Sequence, residues 1–492
     1  MTLPQGHGAK GGTVTSHTTV EVSAERNGNE NYGLHAGVLG PLETLAQSVS
    51  AMAPSTSPSL TIPLVFALAG NATWFVYLLA TGATLLVGFC VSRFAKLSAS
   101  PGSLYTYAAD TLPPVFGVIA AWGLLMAYIA TGASVAGGAL YYAGVLSQQF
   151  FHSTPPALPT LAVVCGVAGW IAYRDVKLSA ELMLWIEVIS VGLILIVLAM
   201  LIFRFGFQFD MDQFRLKGVT LSALGPALVL SMFSFVGFES ATTLGGEARE
   251  PLRTIPRAVM QCALLAGVFF ILCSYSGVIG MSRASNQMSA TTSQMSATTS
   301  QASATTSPMH LLAGMAGIPP LGVAIDFGTF VSMFAGVLAC TTAAARVMMR
   351  MSHEGMISTM FQRTDQKHGT PSAAVVLSAA LMFAGTAFMA FRGSLGSEMY
   401  DVLGSLAVFG FLTAYALVAA ALPFARRARG QHSNLVAAVC IFTIAVILLI
   451  VVFDLESTAD AIHARLPWLY IGYLAVGLGW FASRRRSRRA RA

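Results

Sequence analysis

Two acidic residues of this sequence lie inside long apolar stretches, where a charged side chain is costly. Glu187 stands in the segment LWIEVIS, and Glu239 stands in the segment FSFVGFES. An ionisable group at the middle of a membrane costs at least about 2.5–3.5 kcal/mol, so it normally faces the protein interior and serves a site. Burial disfavours the charged carboxylate, so Glu187 could take up and release a proton near working pH. The alternative for each residue is a structural carboxyl that stays neutral and hydrogen-bonded.

Two apolar stretches also carry residues that interrupt a helix. In the segment SAMAPSTSPS, Pro54 and Pro58 each lack an amide proton and clash with the carbonyl four residues earlier. Gly237 weakens the stretch that holds Glu239. The freed main-chain groups cannot face lipid, so they must line a polar cavity or a neighbouring helix. Broken membrane helices are the main sequence indication of a transport site; the alternative is a proline kink satisfied by nearby hydroxyls.

Other kinds of site have little support. His353-Glu354 lacks the second histidine of a zinc-protease motif, and there is no P-loop Gly-Lys-Ser/Thr. All nine histidines fall in tails or near predicted span ends, and the six cysteines lack the spacing of a zinc or disulfide framework. Glu43 and Asp326 also lie near span ends, where we expect water or headgroups to reach them. We therefore expect no enzyme activity, no metal and no cofactor.

Composition indicates the elements that must position these groups. Charged residues make up 10% of the 492 and hydrophobic residues 55%, whereas an ordinary soluble domain is about 25% charged. So few charges cannot cover a soluble surface, and we predict an all-α polytopic membrane protein. A spanning helix needs about 20 apolar residues, and the chain offers twelve such segments. They lie at about 39–69, 72–92, 113–146, 158–173, 180–203, 221–246, 257–281, 320–345, 373–391, 399–423, 434–453 and 466–482.

The distribution of Lys and Arg predicts the orientation of these spans. With the N-terminus inside, 22 of the 28 basic residues fall on the cytoplasmic side, as the positive-inside rule requires. Both termini of this multi-pass protein are therefore predicted to face the cytoplasm, across a cell inner membrane. The basic tail 484–492 directly follows the last span, so we interpret it as an anchor to anionic lipid rather than a nucleic-acid site.

Two polar segments are predicted to lie outside the helices. Residues 1–37 are rich in Gly, Ser, Thr, Asn and Glu and are predicted to form a disordered cytosolic tail. Residues 287–307 contain three copies of a seven-residue unit, QMSATTS, QMSATTS and QASATTS. The copies carry no charge and little apolar surface to bury, so we predict a flexible external loop over 282–308.

One stretch resembles a known family. The sequence GFESATTLGGEAREPLRTIPRAV, at 237–259, is similar to the signature between the sixth and seventh spans of the amino acid–polyamine–organocation (APC) superfamily, and the chain resembles its bacterial amino acid permeases. The matching positions are Glu239, Glu247, Pro251, Arg253, Ile255 and Pro256. The stretch 101–128 and the segment RVMMRMSHEG, followed by Gly369-Thr370-Pro371, are also similar to the family. The resemblance covers residues 38–425 in order.

The resemblance implies a leucine-transporter-like fold with two inverted repeats of five spans, at 38–203 and 204–425, and two further C-terminal helices at 426–483. It also implies that the broken centres of the first and sixth spans form one substrate site at the midplane. A half-helix N-terminus with free amides suits the substrate's carboxylate, and Phe233 matches the gating aromatic. The residues implied for substrate binding are Met52, Ala53, Pro54, Ser55, Thr56, Ser57, Tyr128, Phe233, Phe235, Val236, Gly237 and Glu239.

The resemblance further implies secondary active transport of amino acids by alternating access. We expect proton-coupled uptake through Glu187; an amino acid/amine (polyamine) exchanger is the alternative, and sodium, held through Ser332, is the alternative coupling ion. The family's usual Gly-Ser-Gly break is replaced here by Pro54-Ser55-Thr56, and Glu187 stands where some proton-coupled members carry lysine. A non-transporting sensor would need a soluble output domain, and neither tail is long or apolar enough to fold one.

Overall fold

The computed structural model describes residues 37–98, 102, 104–174, 176–205, 210–217, 219, 221–291, 307–365, 369–457 and 462–489. Within these ranges the regular structure is helical, apart from one parallel β-bridge between Leu39 and Ala248. Three predicted segments fall wholly or largely outside the described residues: the N-terminal tail, most of the seven-residue repeats and the end of the basic tail.

Long apolar helices dominate the described chain. The α-helices, in chain order, are α1 (Pro41–Met52), α2 (Ile62–Ala69), α3 (Thr73–Ala95), α4 (Leu104–Ala109), α5 (Pro114–Phe151), α6 (Ala157–Arg174), α7 (Val176–Phe205), α8 (Met211–Phe214), α9 (Leu221–Phe233), α10 (Pro251–Thr291), α11 (Pro308–Met315), α12 (Pro319–His353), α13 (Ser372–Phe391), α14 (Gly396–Ala428), α15 (Asn434–Ser457) and α16 (Leu466–Arg489).

Ten segments of the described chain are long and apolar enough to cross a membrane. One of them, Pro41–Ala95, holds α1 to α3 in 55 residues; at 1.5 Å per residue a continuous helix of that length would be more than twice the ~30 Å hydrocarbon thickness. The shorter apolar helix Leu224–Phe233 lies within α9. The predicted all-helical, multi-pass membrane protein is confirmed, whereas twelve spans and the repeat organisation stay predictions.

Some helix ends differ from the predicted ones. Helix α10 continues to Thr291, past the predicted end at 281 and into the predicted external loop. The sequence from 282 to 291 contains neither proline nor glycine, so no residue there terminates the helix. The predicted sixth span at 221–246 is instead divided, because α9 ends at Phe233 and a 3₁₀-helix follows at Ser240–Leu244.

Small residues bring α5 and α14 into backbone contact at the centre of the bundle. A Cβ on Gly410 would lie 2.4 Å from the Gly123 carbonyl oxygen, and a Cβ on Gly396 would lie 2.6 Å from the Gly137 carbonyl oxygen. Membrane helices approach this closely only where side chains are small. Polar side chains on the facing sides of α5 and α14 therefore lie close enough to share a hydrogen-bond partner.

A buried ion pair connects α12 to the chain that follows the 3₁₀-helix. Arg346 donates from Nε to Glu247 Oε2 at 2.7 Å and from Nη2 to Oε1 at 2.8 Å, and both side chains are at most 5% exposed. Glu247 also accepts, at its main-chain carbonyl, the amide proton of Leu39 at 3.1 Å. The pair therefore ties α12 and the segment before α1 to one loop.

Replacing Arg346 with methionine is expected to destabilise the protein by about 3–5 kcal/mol, because it leaves the Glu247 carboxylate buried without a counter-charge. Unfolding of the purified protein in detergent measures the loss. The matched control is Arg253→Met, which removes a partner of the exposed Glu250 and is expected to change little. Equal stability of the two variants would contradict the prediction.

Candidate functional site

The first predicted helix interruption is present. Helix α1 ends at Met52, Ala53 adopts a left-handed conformation with φ +49°, and a π-helical turn, Ser57–Thr61, leads into α2. The main-chain amide and the hydroxyl of Thr56 both donate to the Ala53 carbonyl, at 2.9 and 2.7 Å. Residues 53–55 thus leave the α-helical path where the prolines predict it, with every residue from 52 to 57 buried.

The second interruption lies against the first. Residues 234–239 form turns after α9, and Gly237 has φ +99°. A Cβ on Gly237 would lie 2.7 Å from the carbonyl carbon of Ala51. The Ser240 hydroxyl donates to the Gln47 carbonyl at 2.9 Å. The interruption therefore docks onto the last turns of α1, and the predicted meeting of the two broken helices is observed.

Two hydroxyl groups beside the first interruption have no hydrogen-bond partner in the described structure. Ser50 Oγ and Ser57 Oγ are both fully buried. Buried polar groups in proteins almost always have a partner. These two hydroxyls are therefore available to a bound polar group.

Glu239 lies at the end of the second interruption, fully buried. Its Oε1 accepts a hydrogen bond from the Tyr128 hydroxyl of α5 at 3.1 Å, and its Oε2 accepts one from the Tyr415 hydroxyl of α14 at 2.7 Å. No salt bridge from a described Lys, Arg or His reaches it. The backbone contact of α5 with α14 brings the two phenols to one carboxyl group.

The aromatic residues of the second interruption point to different neighbours. The Phe233 ring meets the Tyr400 ring edge-on at 5.3 Å, and a Cβ on Gly404 would lie 2.7 Å from the Phe233 ring. Phe235 instead packs edge-on against Phe270 of α10, with ring centroids 5.1 Å apart. Phe233 therefore reaches α14, whereas Phe235 packs toward α10.

Glu187 of α7 joins the first interruption to α12. It is 1% exposed, and its Oε2 accepts the amide proton of Ser55 at 3.3 Å. Its Oε1 accepts a hydrogen bond from the Ser332 hydroxyl. One carboxyl group thus connects three elements, and the predicted sodium ligand Ser332 is its hydrogen-bond donor.

The structure corrects one expectation and adds residues that the sequence did not indicate. Asp326, expected within reach of water, is fully buried, because α11 packs over this end of α12 and supplies both of its partners, Ser307 and His310. Tyr415 stands in an apolar helix without a local motif. Its role emerges only from the contact with Glu239.

Comparison with known proteins decides the family. The amino acid permease family model matches residues 55–482. This chain belongs to the amino acid permease family. The permease is a transporter and not an enzyme, and its predicted membership of the APC superfamily is confirmed.

Individual relatives agree with this assignment. The permease is 24% identical to the branched-chain amino acid permease BcaP of Bacillus subtilis (strain 168) over 380 residues, 73% of this chain and 74% of the relative. It is 29% identical to the low-affinity putrescine importer PlaP of Escherichia coli (strain K12) over 217 residues, 40% of this chain and 44% of the relative. A crystal structure of MhsT in complex with L-phenylalanine shares its fold, with a TM-score of 0.54 and 16% identity over 83% of this chain and 98% of that chain.

Gly237→Ala is expected to lower both thermal stability and transport, the latter by at least about tenfold. The new methyl group would force φ out of the left-handed region or push the second interruption away from Ala51. Thermal unfolding and uptake into proteoliposomes measure the two effects. Gly192→Ala in α7, where a Cβ meets nothing within 4 Å, is the matched control; equal behaviour of the two variants would count against this role of Gly237.

Proposed function

We propose that the permease takes up an amino acid or a related amine by proton-coupled secondary active transport, using alternating access. The observation that carries the proposal is the contact of the two interrupted helices beside Glu239. Both helix centres leave the regular α-helical path, so hydroxyl, carboxyl and main-chain groups lie beside their contact in a buried interior. Such groups are what a small zwitterion needs to leave water.

The first interruption supports recognition of the substrate's backbone. Helix α1 ends at Met52, so its carbonyl end carries partial negative charge and suits an ammonium group. The helical stretch that restarts at Ser57 directs its N-terminal end, which carries partial positive charge, toward the first interruption, and such an end suits a carboxylate. The unpartnered hydroxyls of Ser50 and Ser57 add two further hydrogen-bonding groups.

The second interruption supports recognition of the rest of the substrate. Glu239 accepts from two phenols, and an ionised carboxylate has room for further donors. A substrate ammonium group would supply such a donor together with the missing counter-charge. In this proposal Phe233 closes over the substrate, and Val236 and Tyr128 shape the pocket.

Glu187 is proposed to carry the coupling proton. As a carboxylate it accepts hydrogen bonds from the first interruption and from α12 at the same time. Protonation removes its charge and turns one acceptor oxygen into a donor, which weakens the link between these elements. Coupling then follows, because proton and substrate both act on the first interruption.

The membrane arrangement is proposed as follows. Twelve spans form two inverted repeats of five and a C-terminal pair, with both termini on the cytoplasmic side of the inner membrane. The interruptions after α1 and α9 support this arrangement, since the family resemblance implies one interrupted helix at the start of each repeat. Arg484 donates to the Ile357 carbonyl at 2.6 Å, which ties the end of α16 to the chain after α12. The basic tail is proposed to anchor to anionic lipid, because it directly follows the last span.

Exchange of an amino acid for an amine is the second candidate. The buried Glu239 carboxyl favours it, because a carboxylate with phenol partners could receive either ammonium group. Uptake that requires preloaded vesicles and ignores a proton gradient would distinguish exchange from uptake coupled to protons.

The coupling prediction concerns Glu187→Gln. In proteoliposomes with an imposed proton gradient, the wild-type permease is expected to accumulate at least one of a panel of labelled amino acids and putrescine, in sodium-free buffer. The amide cannot bind and release the proton, so Glu187→Gln is expected to lose gradient-driven accumulation. Glu398→Gln, at an exposed position of α14, is the matched control. Accumulation that depends on sodium, or is the same in both variants, would rule out Glu187 as the proton carrier.

The pocket prediction concerns Tyr415→Phe. A hydrogen bond to a charged group contributes about 1.5–3 kcal/mol, so loss of the 2.7 Å bond to Glu239 is expected to raise KM by about tenfold or more. Tyr473→Phe is the matched control, since that hydroxyl donates to the Trp122 carbonyl away from Glu239. Equal KM values for the two variants would remove Tyr415 from the site.

A further inference from the structure

Helix α12, which carries the Ser332 hydroxyl that donates to Glu187, also carries a buried carboxyl group. Asp326 of α12 is fully buried, and its Oδ2 lies 3.2 Å from His310 Nδ1 of α11. Its Oδ1 accepts a hydrogen bond from the Ser307 hydroxyl, which also caps α11 by accepting the His310 amide proton at 3.1 Å. The His310 side chain is 23% exposed. A buried carboxyl is thus reached from solvent through a histidine.

Hydroxyl groups continue from Asp326 along α12 toward Glu187. Thr329 and Ser332 follow Asp326 at helical spacings of three residues, and both are fully buried. Residues at this spacing lie on one helix face, about 5–6 Å apart at Cβ. A single bridging water spans such a distance with two hydrogen bonds. The last of these hydroxyls, on Ser332, donates to Glu187.

The first interruption borders this line of hydroxyls. Ser59 Oγ lies 3.0 Å from Thr329 Oγ1 and donates to the Ser55 carbonyl at 2.9 Å. Tyr142 donates to the Ser59 carbonyl at 3.0 Å. The first interruption therefore contacts the line of hydroxyl groups on α12 at Thr329.

We propose that His310, Asp326, Thr329 and Ser332 form the route by which the coupling proton reaches Glu187. This inference rests on the proposed function, in which Glu187 is the proton carrier, and it assigns the entry side to the end of the bundle where α11 lies. A histidine suits the entrance, because its imidazole has two ring nitrogens and can accept a proton at one while it donates from the other.

The transfer conserves protons and charge at every step. Nε2 of the neutral His310 imidazole takes a proton from hydronium in the outer water, and the imidazolium so formed releases its Nδ1 proton to the Asp326 carboxylate. The Asp326 carboxyl releases that proton to the first bridging water. Each water and hydroxyl, at Thr329 and then at Ser332, accepts one proton on its oxygen and releases another. The last O–H bond forms on the Glu187 carboxylate, so one proton leaves water and one arrives.

Other titratable groups lie near the pair of His310 and Asp326 at the proposed proton entrance. From α5, Tyr141 and Tyr142 lie within electrostatic range of Asp326. From α7, Arg204 reaches the turn after α11, where a Cβ on Gly317 would lie 2.5 Å from its Nη1. An ordinary phenol or guanidinium does not exchange protons near neutral pH. His310 and Asp326 are therefore the pair that exchanges protons at this end.

The experiment follows the arrival of the proton without a substrate. Liposomes that contain the full-length permease receive a step of external pH across the range in which histidine titrates, about pH 6.5. Infrared difference spectroscopy then records the protonated carboxyl band of Glu187, which is identified by its loss in Glu187→Gln. The wild-type band is expected to grow rapidly. In His310→Gln and Asp326→Asn it should grow at least about tenfold more slowly and reach the same final amplitude.

The matched control is a second histidine–aspartate pair. His463 Nε2 lies 3.3 Å from Asp401 Oδ2, with both side chains more than a quarter exposed, so His463→Gln should leave the rate unchanged. Thr329→Val removes one hydroxyl from the line and changes no titratable group. It should slow the growth of the Glu187 band as much as Asp326→Asn does.

The outcomes separate the two proposals. Wild-type rates in His310→Gln and Thr329→Val would overturn the route while leaving Glu187 as the proton carrier. Reduced final amplitude in these variants, with an unchanged rate, would mean that the residues only support the fold, and would also overturn the route. Absence of a Glu187 band in the wild-type permease would overturn the proposed coupling itself.

Discussion

The contact between the two interrupted helices is the constraint on which the rest of the site depends. In lipid, each unsatisfied backbone group costs several kcal/mol, so an open helix centre persists only where protein covers it. Here each interruption covers the other: Gly237 lies against the Ala51 carbonyl, and Ser240 donates to α1. Because a Cβ at Gly237 has no room, a larger residue would separate the interruptions and leave both uncovered.

Four of the buried carboxyl groups in the described chain differ in their partners, and the partners determine what each group can do. Glu247 is held by the Arg346 guanidinium in a bidentate pair, so it serves the structure. Among the described residues, the hydrogen-bond partners of Glu187 and Glu239 are hydroxyl and amide groups. Asp326 has a histidine partner. The last three carboxyls can therefore change protonation state without breaking an ion pair with arginine, which is what coupling requires.

The interruptions and the unusual acids were predictable because their causes are local. A proline at position 54 removes its own amide proton, and Gly237 loosens its own backbone, whatever surrounds them. A carboxyl in an apolar segment is recognisable by its rarity, which is how Glu187 and Glu239 were found. Asp326 was misjudged, because its distance along α12 from the helix end says nothing about α11 packing over it.

By itself the sequence determined that the chain is a membrane protein, where its helices break and which acids lie inside them, because these features follow from composition and from each residue's own backbone chemistry. The tertiary structure decided the partners. Tyr415 and Glu239 are separated by 176 residues, and Ser332 and Glu187 by 145. No spacing rule connects residues that far apart along the chain; only the packing of α5, α7, α12 and α14 brings these hydrogen-bonding groups within reach of each other.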